Sequence, residues 1–176
     1  AGWSAGVGLF VKSHIGVDFL DADFASLLEG DGKTVKSCQG RVAAVVARCG
    51  VKGGVLIMTA YLCSGLSIVA WDNWRMLLSI ASLLNAVGLP YVIGGDFQNP
   101  PGKVIESGFL DLIGGAILST RGGTCKAFKS GNWSLIDFFI VSEGKRSAFD
   151  EPEGVLGDYA THSPVSVSMP RDPRKS

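Results

Sequence analysis

Short apolar runs separated by glycine-rich turns fill the first third of the chain. They occur at 6–13 (GVGLFVKS), 40–49 (GRVAAVVARC) and 53–62 (GGVLIMTAYL), and runs of this length bounded by turn residues predict buried strands. The second and third runs are separated by a glycine-containing turn at 50–54. We therefore predict that these two strands pair as a hairpin.

A helical stripe follows between residues 68 and 87. Its apolar residues recur at steps of three and four: Trp74, Leu77, Leu78, Ala81 and Leu84. Gly88 and Pro90 come directly after it, and both residue types end helices. The next segments predict a buried strand at 90–97 (PYVIGGDF) and, after the turn NPPGK, a helix at 104–112.

From residue 115 the pattern changes to short strands, predicted at 115–120, 124–128, 134–142 and 163–169. Strand–helix alternation followed by a meander predicts a layered α/β fold rather than a purely parallel sheet. The length of 176 residues fits one globular domain. We expect that domain over residues 1–170 and a flexible tail over 171–176.

Composition bears on partners and compartment. With 47% hydrophobic and 18% charged residues the chain should fold, and its net charge of zero creates no overall attraction to a polyanion. The cysteines at 38, 49, 63 and 125 show no metal-binding or disulfide spacing, and no signal peptide is recognisable. Polar residues interrupt the apolar stretch at 76–93, which argues against a membrane span. We expect an intracellular monomer with reduced thiols.

Three polar residues stand at or inside apolar strands. Asp96 ends the strand at 90–97 after two glycines, where it could hold a hard cation such as Mg²⁺ or simply cap the turn before Pro100. Asp137 lies within SLIDFFIVS, where a charge is costly unless it is paired. His162 precedes the last strand and is either incidental or oriented by a carboxylate.

The order of these segments is informative. G-G-D-F-x-x-P, S-x-I-D-F-F-x-V-S and T-H-S-P-V occur in that order along the chain. The set resembles the endonuclease/exonuclease/phosphatase superfamily, which has the DNase I-like fold and includes AP endonucleases and the endonuclease domains of non-LTR retroelements. In this comparison TAYLCSG is similar to the family's N-x-Y-x-P strand, with Tyr61 as the tyrosine. The resemblance implies a four-layer α/β sandwich of two packed mixed sheets flanked by helices.

The resemblance also implies a Mg²⁺- or Mn²⁺-dependent phosphodiesterase acting on nucleic acid, DNA rather than RNA. Asp96 would bind the metal and orient or deprotonate the attacking water. His162, fixed by Asp137, would stabilise charge on the pentacoordinate phosphorus, and Tyr61 would hold a phosphate oxygen. Gln98 takes the place of the asparagine in the family's G-D-F-N segment.

Departures from the family pattern suggest a second reading. Besides Gln98, Thr161 replaces the aspartate of S-D-H, and Asp158 is a candidate metal ligand in its place. The family's first strands and its Q-E pair have no counterpart here, so the resemblance implies an N-terminally incomplete domain. The alternative is therefore a degenerate, non-catalytic domain of the same fold that binds nucleic acid or protein. An unrelated α/β fold with accidental motifs would place Asp96, Asp137 and His162 far apart.

A basic and aromatic segment offers substrate contacts. Arg121, Lys126 and Lys129 are followed by Trp133, a combination that pairs phosphate contacts with base stacking. The alternative is a solvated loop that an aromatic residue anchors to the core.

Overall fold

The computed structural model of the chain describes residues 7–29, 40–49, 51–127, 130–155 and 161–169. The strands are β1 (Gly16–Asp18), β2 (Val42–Arg48), β3 (Val55–Tyr61), β4 (Tyr91–Asp96), β5 (Gly115–Leu118), β6 (Cys125–Lys126), β7 (Trp133–Ser134), β8 (Asp137–Ser142), β9 (Glu153–Gly154) and β10 (Val165–Ser166). The helices are α1 (Ala22–Glu29), α2 (Trp71–Val87), α3 (Pro101–Glu106) and α4 (Phe109–Ile113), with a 3₁₀ turn at Glu143–Ala148.

A six-stranded mixed sheet forms the centre of the molecule, in the order β1-β2-β3-β4-β8-β5. β3 and β4 are parallel, with α2 as the connection between them, and the other neighbours are antiparallel. Two further ladders have two strands each, β6 with β7 and β9 with β10. The predicted α/β class with a mixed sheet is therefore confirmed, and the described residues contain one large sheet.

One face of the sheet packs against the helices. Met76, Leu77 and Ile80 of α2 are fully buried, and they join Leu56 and Ile93 of the sheet in the main core. Gly88 ends α2 in the left-handed conformation, with φ of 65°, as its position after the apolar stripe predicts. Among the described residues no helix has the length and apolar character needed to cross a membrane.

The opposite face of the sheet is only partly covered. Strand alternation places Ile57, Val92 and Phe139 on it, and all three side chains are half-buried. A cleft of about 430 Å³ opens along this face and reaches the end of the sheet where β4 terminates and β8 begins. That end carries the polar groups predicted from the sequence.

The predicted hairpin at 40–62, the helix ending at Val87 and the strand at 90–97 are all present. The predicted strand at 6–13 is wrong, because residues 7–12 form no ladder and Phe10 is fully exposed; the first strand is β1. The predicted helix at 104–112 is two helices, because Gly108 adopts φ of 77° and breaks it. The tail at 171–176 lies outside the described residues.

Candidate active site

Two aspartates meet at the end of the partly covered face. Asp96 is the last residue of β4 and Asp137 the first of β8, and the two are direct partners in the antiparallel register. Directly opposed residues project from the same face of a sheet. Tyr61, which ends β3, is the register partner of Asp96 on the other side and shares that face. The strand pairing therefore gathers residues that are far apart in sequence.

His162 is brought to the aspartates by a separate segment. Cys125 of β6 forms an isolated β-bridge with His162, so β6 holds the backbone on both sides of the histidine. The amide of Lys126 donates to the Thr161 carbonyl, and the amide of Ser163 donates to the Thr124 carbonyl, each at 2.7 Å. The imidazole therefore enters the site from a backbone segment that is held by this bridge.

The three side chains form one cluster. His162 Nδ1 lies 3.0 Å and 3.2 Å from the two carboxylate oxygens of Asp137, and His162 Nε2 lies 4.0 Å from Asp96 Oδ2. Ligand atoms of all three residues lie within 4.8 Å of one another. Because an ionised carboxylate only accepts hydrogen bonds, Nδ1 carries the proton given to Asp137, and in neutral His162 Nε2 keeps a lone pair. This convergence contradicts the possibility of an unrelated fold with accidental motifs.

Asp96 both organises its turn and faces the cleft. Its Oδ1 accepts the Gln98 amide at 3.0 Å, and its Oδ2 accepts Gln98 Nε2 at 2.6 Å. Burial raises the pKa of Asp96, and the nearby Asp137 carboxylate raises it further, whereas the Gln98 hydrogen bonds lower it. Asp96 therefore caps the turn and also lines the cleft.

Gln98 occupies an unusual backbone conformation. Its φ of 52° lies in the left-handed region, and it is the one non-glycine residue with positive φ in the described part of the chain. This conformation turns its amide side chain back onto Asp96. Gln98 is therefore a positioning residue for the carboxylate.

Sequence reasoning missed Thr124 and Cys125. Thr124 is 2% exposed, and its hydroxyl accepts the backbone amides of Ile136 and Asp137 at the start of β8. Cys125 Sγ lies 3.5 Å from His162 Nε2. Burial, followed by the charges of Asp137 and Asp96, raises the pKa of the Cys125 thiol. In the sequence these residues are only a Thr-Cys pair after two glycines, and this pattern does not by itself indicate a place beside the site.

Tyr61 stands beside the cluster with partners of its own. Its hydroxyl is 3.2 Å from Ser64 Oγ, and the Arg41 guanidinium lies 4.9 Å from the centre of its ring. Arg41 also donates to the Tyr61 carbonyl at 3.3 Å. Arg41 therefore adds a cation at this edge that the sequence reasoning did not identify.

The predicted substrate-binding residues divide into three groups. Lys126 Nζ lies 5.9 Å from the Trp133 ring, and Trp133 is 53% exposed on the β6–β7 ladder. Arg121 instead pairs with Glu151 at 3.0 Å. Lys129 lies outside the described residues, and so does Asp158, the second candidate metal ligand.

The donor set at the cluster fits a hard divalent cation. Mg²⁺ prefers carboxylate oxygens and is commonly held by one or two carboxylates together with water. Both Asp137 oxygens face the histidine, which leaves Asp96 as the residue that would hold the ion. A cation would also relieve the unfavourable burial of the Asp96 charge, the main cause of its raised pKa.

Comparison of sequences gives no match, either to a protein-family model or to a curated protein. Comparison of folds finds several. The endonuclease domain of TRAS1, a telomere-specific non-LTR retrotransposon, superimposes with a TM-score of 0.59 at 16% identity over 76% of this chain. The chain spans 65% of the length of that domain.

Two bacterial structures share the same fold. The 3′ phosphatase NExo from Neisseria, bound to a product DNA hairpin, matches with a TM-score of 0.59 at 13% identity, over 92% of this chain and 72% of its own. An endonuclease/exonuclease/phosphatase family protein from Bacteroides thetaiotaomicron matches with a TM-score of 0.54 at 16% identity, over 72% of this chain and 54% of its own. The resemblance seen in the motifs is thereby confirmed at the level of the fold.

Proposed function

We propose that this chain, which has the endonuclease/exonuclease/phosphatase fold, is a metal-dependent hydrolase of phosphodiester bonds in nucleic acid, DNA rather than RNA. The convergence of Asp96, Asp137 and His162 within 4.8 Å at the mouth of an open cleft carries this proposal. The structures that share the fold include an endonuclease domain and a phosphatase bound to a DNA hairpin, which supports the substrate class.

The carboxylate of Asp96 acts on the attacking water. It is 15% exposed, so it meets the cleft while keeping both oxygens oriented by Gln98. From this position it orients or deprotonates the attacking water. Mg²⁺ or Mn²⁺ held by Asp96 would supply Lewis-acid polarisation of a phosphoryl oxygen.

His162 and Asp137 act on the phosphate side. In its protonated form His162 donates its Nε2 proton to a phosphoryl oxygen as negative charge develops there. Asp137 holds the other ring nitrogen at 3.0 Å and balances the imidazolium charge. Tyr61, on the same face as Asp96, contacts a further phosphate oxygen after exchanging its hydrogen bond to Ser64.

The β6–β7 ladder supplies the substrate contacts in this proposal. The exposed ring of Trp133 stacks a base, and Lys126, beside it, binds a phosphate. Arg121 contributes by exchanging its ion pair with Glu151 for a phosphate, at little expense because both partners are largely exposed. Lys129 is proposed as an additional phosphate contact from its place in the same segment.

Nicking of plasmid DNA in the presence of Mg²⁺ tests the proposal. Asp96→Ala and His162→Ala should each lower the rate by about 10²-fold or more, the usual contribution of a positioned acid or base. Asp111→Ala and His14→Ala change the same residue types at exposed positions and should retain activity. Unchanged nicking in both site variants would remove the proposed mechanism.

A non-catalytic module of the same fold is the second candidate. Thr161 in place of a carboxylate, and the engagement of the Gln98 amide with Asp96, are the observations that favour it. It predicts that calorimetry detects no Mg²⁺ binding while DNA binding persists and weakens with salt. Mg²⁺ binding that depends on Asp96 would decide against it.

A further inference from the structure

Cys125 and His162 have the separation of two ligands on one tetrahedral metal ion. The Cys125 sulfur lies 3.5 Å from His162 Nε2. Zinc binds thiolate at about 2.3 Å and imidazole at about 2.0–2.1 Å, so a tetrahedral angle places sulfur and nitrogen ~3.6 Å apart. The two side chains could therefore share such an ion with little movement.

The histidine already has the outer partner that a metal-binding imidazole requires. Ligating histidines usually donate their second ring nitrogen to a carboxylate, which fixes the tautomer and leaves the lone pair directed at the ion. Asp137 accepts from His162 Nδ1 at 3.0 Å, and the free lone pair of Nε2 faces Cys125. Both the tautomer and the ring orientation suit a metal at Nε2.

A third ligand is close. Asp96 Oδ2 lies 4.0 Å from His162 Nε2, about 0.6 Å farther than the ~3.4 Å that a tetrahedral ion would set, so the carboxylate would have to move closer by that amount. The fourth position would be filled by water from the cleft. Thiolate with imidazole selects zinc-class ions, whereas Mg²⁺ prefers oxygen ligands alone.

We propose that Cys125, His162 and Asp96 form a site for a zinc-class divalent cation, and that its occupation stops the proposed hydrolysis. The ion would use His162 Nε2 and Asp96, the two groups that act on phosphate and water. The proposed cation site does not depend on the proposed function. The proposed inhibition by the cation does rest on that function. The presence of Zn²⁺ would then decide whether the site is available for catalysis.

Cobalt spectroscopy tests the site without any measurement of activity. Titration of the protein with Co²⁺ should produce a sulfur-to-cobalt charge-transfer band with a stoichiometry of one. Cys125→Ser should abolish this band, while Cys49→Ser, at the opposite end of the sheet, should keep it. Absence of the band in the unsubstituted protein, or its persistence in Cys125→Ser, would overturn the proposal.

Calorimetry with Zn²⁺ gives the affinity. Cys125→Ser should weaken Zn²⁺ binding at least about tenfold, since even loss of an outer-shell partner costs that much, and Mg²⁺ binding should not change. If circular dichroism shows that the serine variant is unfolded, Cys125→Ala replaces it, and the cobalt band of the unsubstituted protein remains decisive. A protein that binds Zn²⁺ through sulfur but never nicks DNA supports this site and contradicts only the proposed function.

Discussion

The negative charge of Asp96 is electrostatically unfavourable in the folded protein, and the fold does not require it. Its pKa is raised mainly by burial, so the folded state favours the protonated carboxyl more than the unfolded state does. A group with a raised folded-state pKa stabilises the protein at low pH, and this contribution is lost as pH rises through that pKa. At neutral pH the ionised Asp96 therefore destabilises the metal-free protein.

Asp96→Asn should consequently raise the melting temperature of the metal-free protein at neutral pH by a few degrees, while it lowers the proposed nicking rate by about 10²-fold or more. In a chain of this length about 1 kcal/mol corresponds to ~2–4 °C. The gain should be absent below about pH 3.9, where an ordinary aspartate is protonated, and should develop as pH rises through the raised pKa of Asp96. Thermal melts at a series of pH values measure it.

Asp111→Asn is the matched control for this measurement. Asp111 is exposed, and its substitution should leave the melting temperature nearly unchanged at every pH. A lower melting temperature for Asp96→Asn at neutral pH would mean that the two Gln98 hydrogen bonds outweigh the effect of burial.

The residues of the candidate site could be inferred from the sequence only where they belong to a recognisable motif. Asp96, Asp137 and His162 were expected because three motifs occur in order, and they lie together. Cys125 was not expected, because its role comes from a cross-strand bridge to a residue 37 positions away. A thiol in an apolar strand looks the same in sequence whether or not it faces a histidine.

Within the sheet, the end of β4 depends on two adjacent glycines. A Cβ at Gly95 would collide with the carbonyl oxygen of Ala60 on β3, and one at Gly94 would lie 2.9 Å from the Phe139 ring. The first contact involves backbone, which cannot move without breaking the parallel pair. The second involves the side of a ring, which can shift.

Gly95→Ala should therefore destabilise the protein by about 1–3 kcal/mol or more, the range for overpacking in a rigid core. Gly102→Ala, in α3, meets no neighbouring atom and should be neutral or slightly stabilising, because alanine favours helix. Urea unfolding of both variants measures the difference. Equal free energies of unfolding for the two variants would show that β3 and β4 can separate locally at little cost in free energy.

Elements could be predicted where the pattern is long and bounded. The 17-residue helix α2 and the β2–β3 hairpin have this property, and both are present. In the apolar run predicted as a strand at 6–13, the described residues 7–13 have no ladder partner, and the local sequence does not indicate that lack; β1 lies just beyond them. Gly108 divided the helix expected at 104–112, because a single left-handed residue interrupts the hydrogen bonding.

At the scale of the whole molecule, charge is balanced, with 16 basic and 16 acidic residues. The proposed nucleic-acid binding must then depend on a few local cations instead of a general field. Each phosphate contact by such a cation contributes about −0.9 to the slope of log affinity against log salt. We expect a shallow slope, set by the few basic groups near the β6–β7 ladder.

Lys126→Ala should make the slope about one unit less steep and weaken binding to a short duplex. Lys52→Ala, in the turn at the far end of the sheet, removes the same charge and should leave the slope unchanged. Fluorescence anisotropy between low and moderate salt measures both. An identical effect of the two substitutions would show that binding is non-local and would exclude the proposed substrate contacts.

We expect the site to be sensitive to heat because of how His162 is attached. The aspartates belong to a six-stranded sheet. The backbone of His162 is instead held by an isolated bridge to β6, a strand of two residues. Breaking the few backbone hydrogen bonds that hold this segment, together with the hydrogen bond from His162 to Asp137, would release the ring while the core stays intact. Warming should therefore abolish the proposed activity well below the melting temperature of the protein. Cooling should restore the activity without refolding.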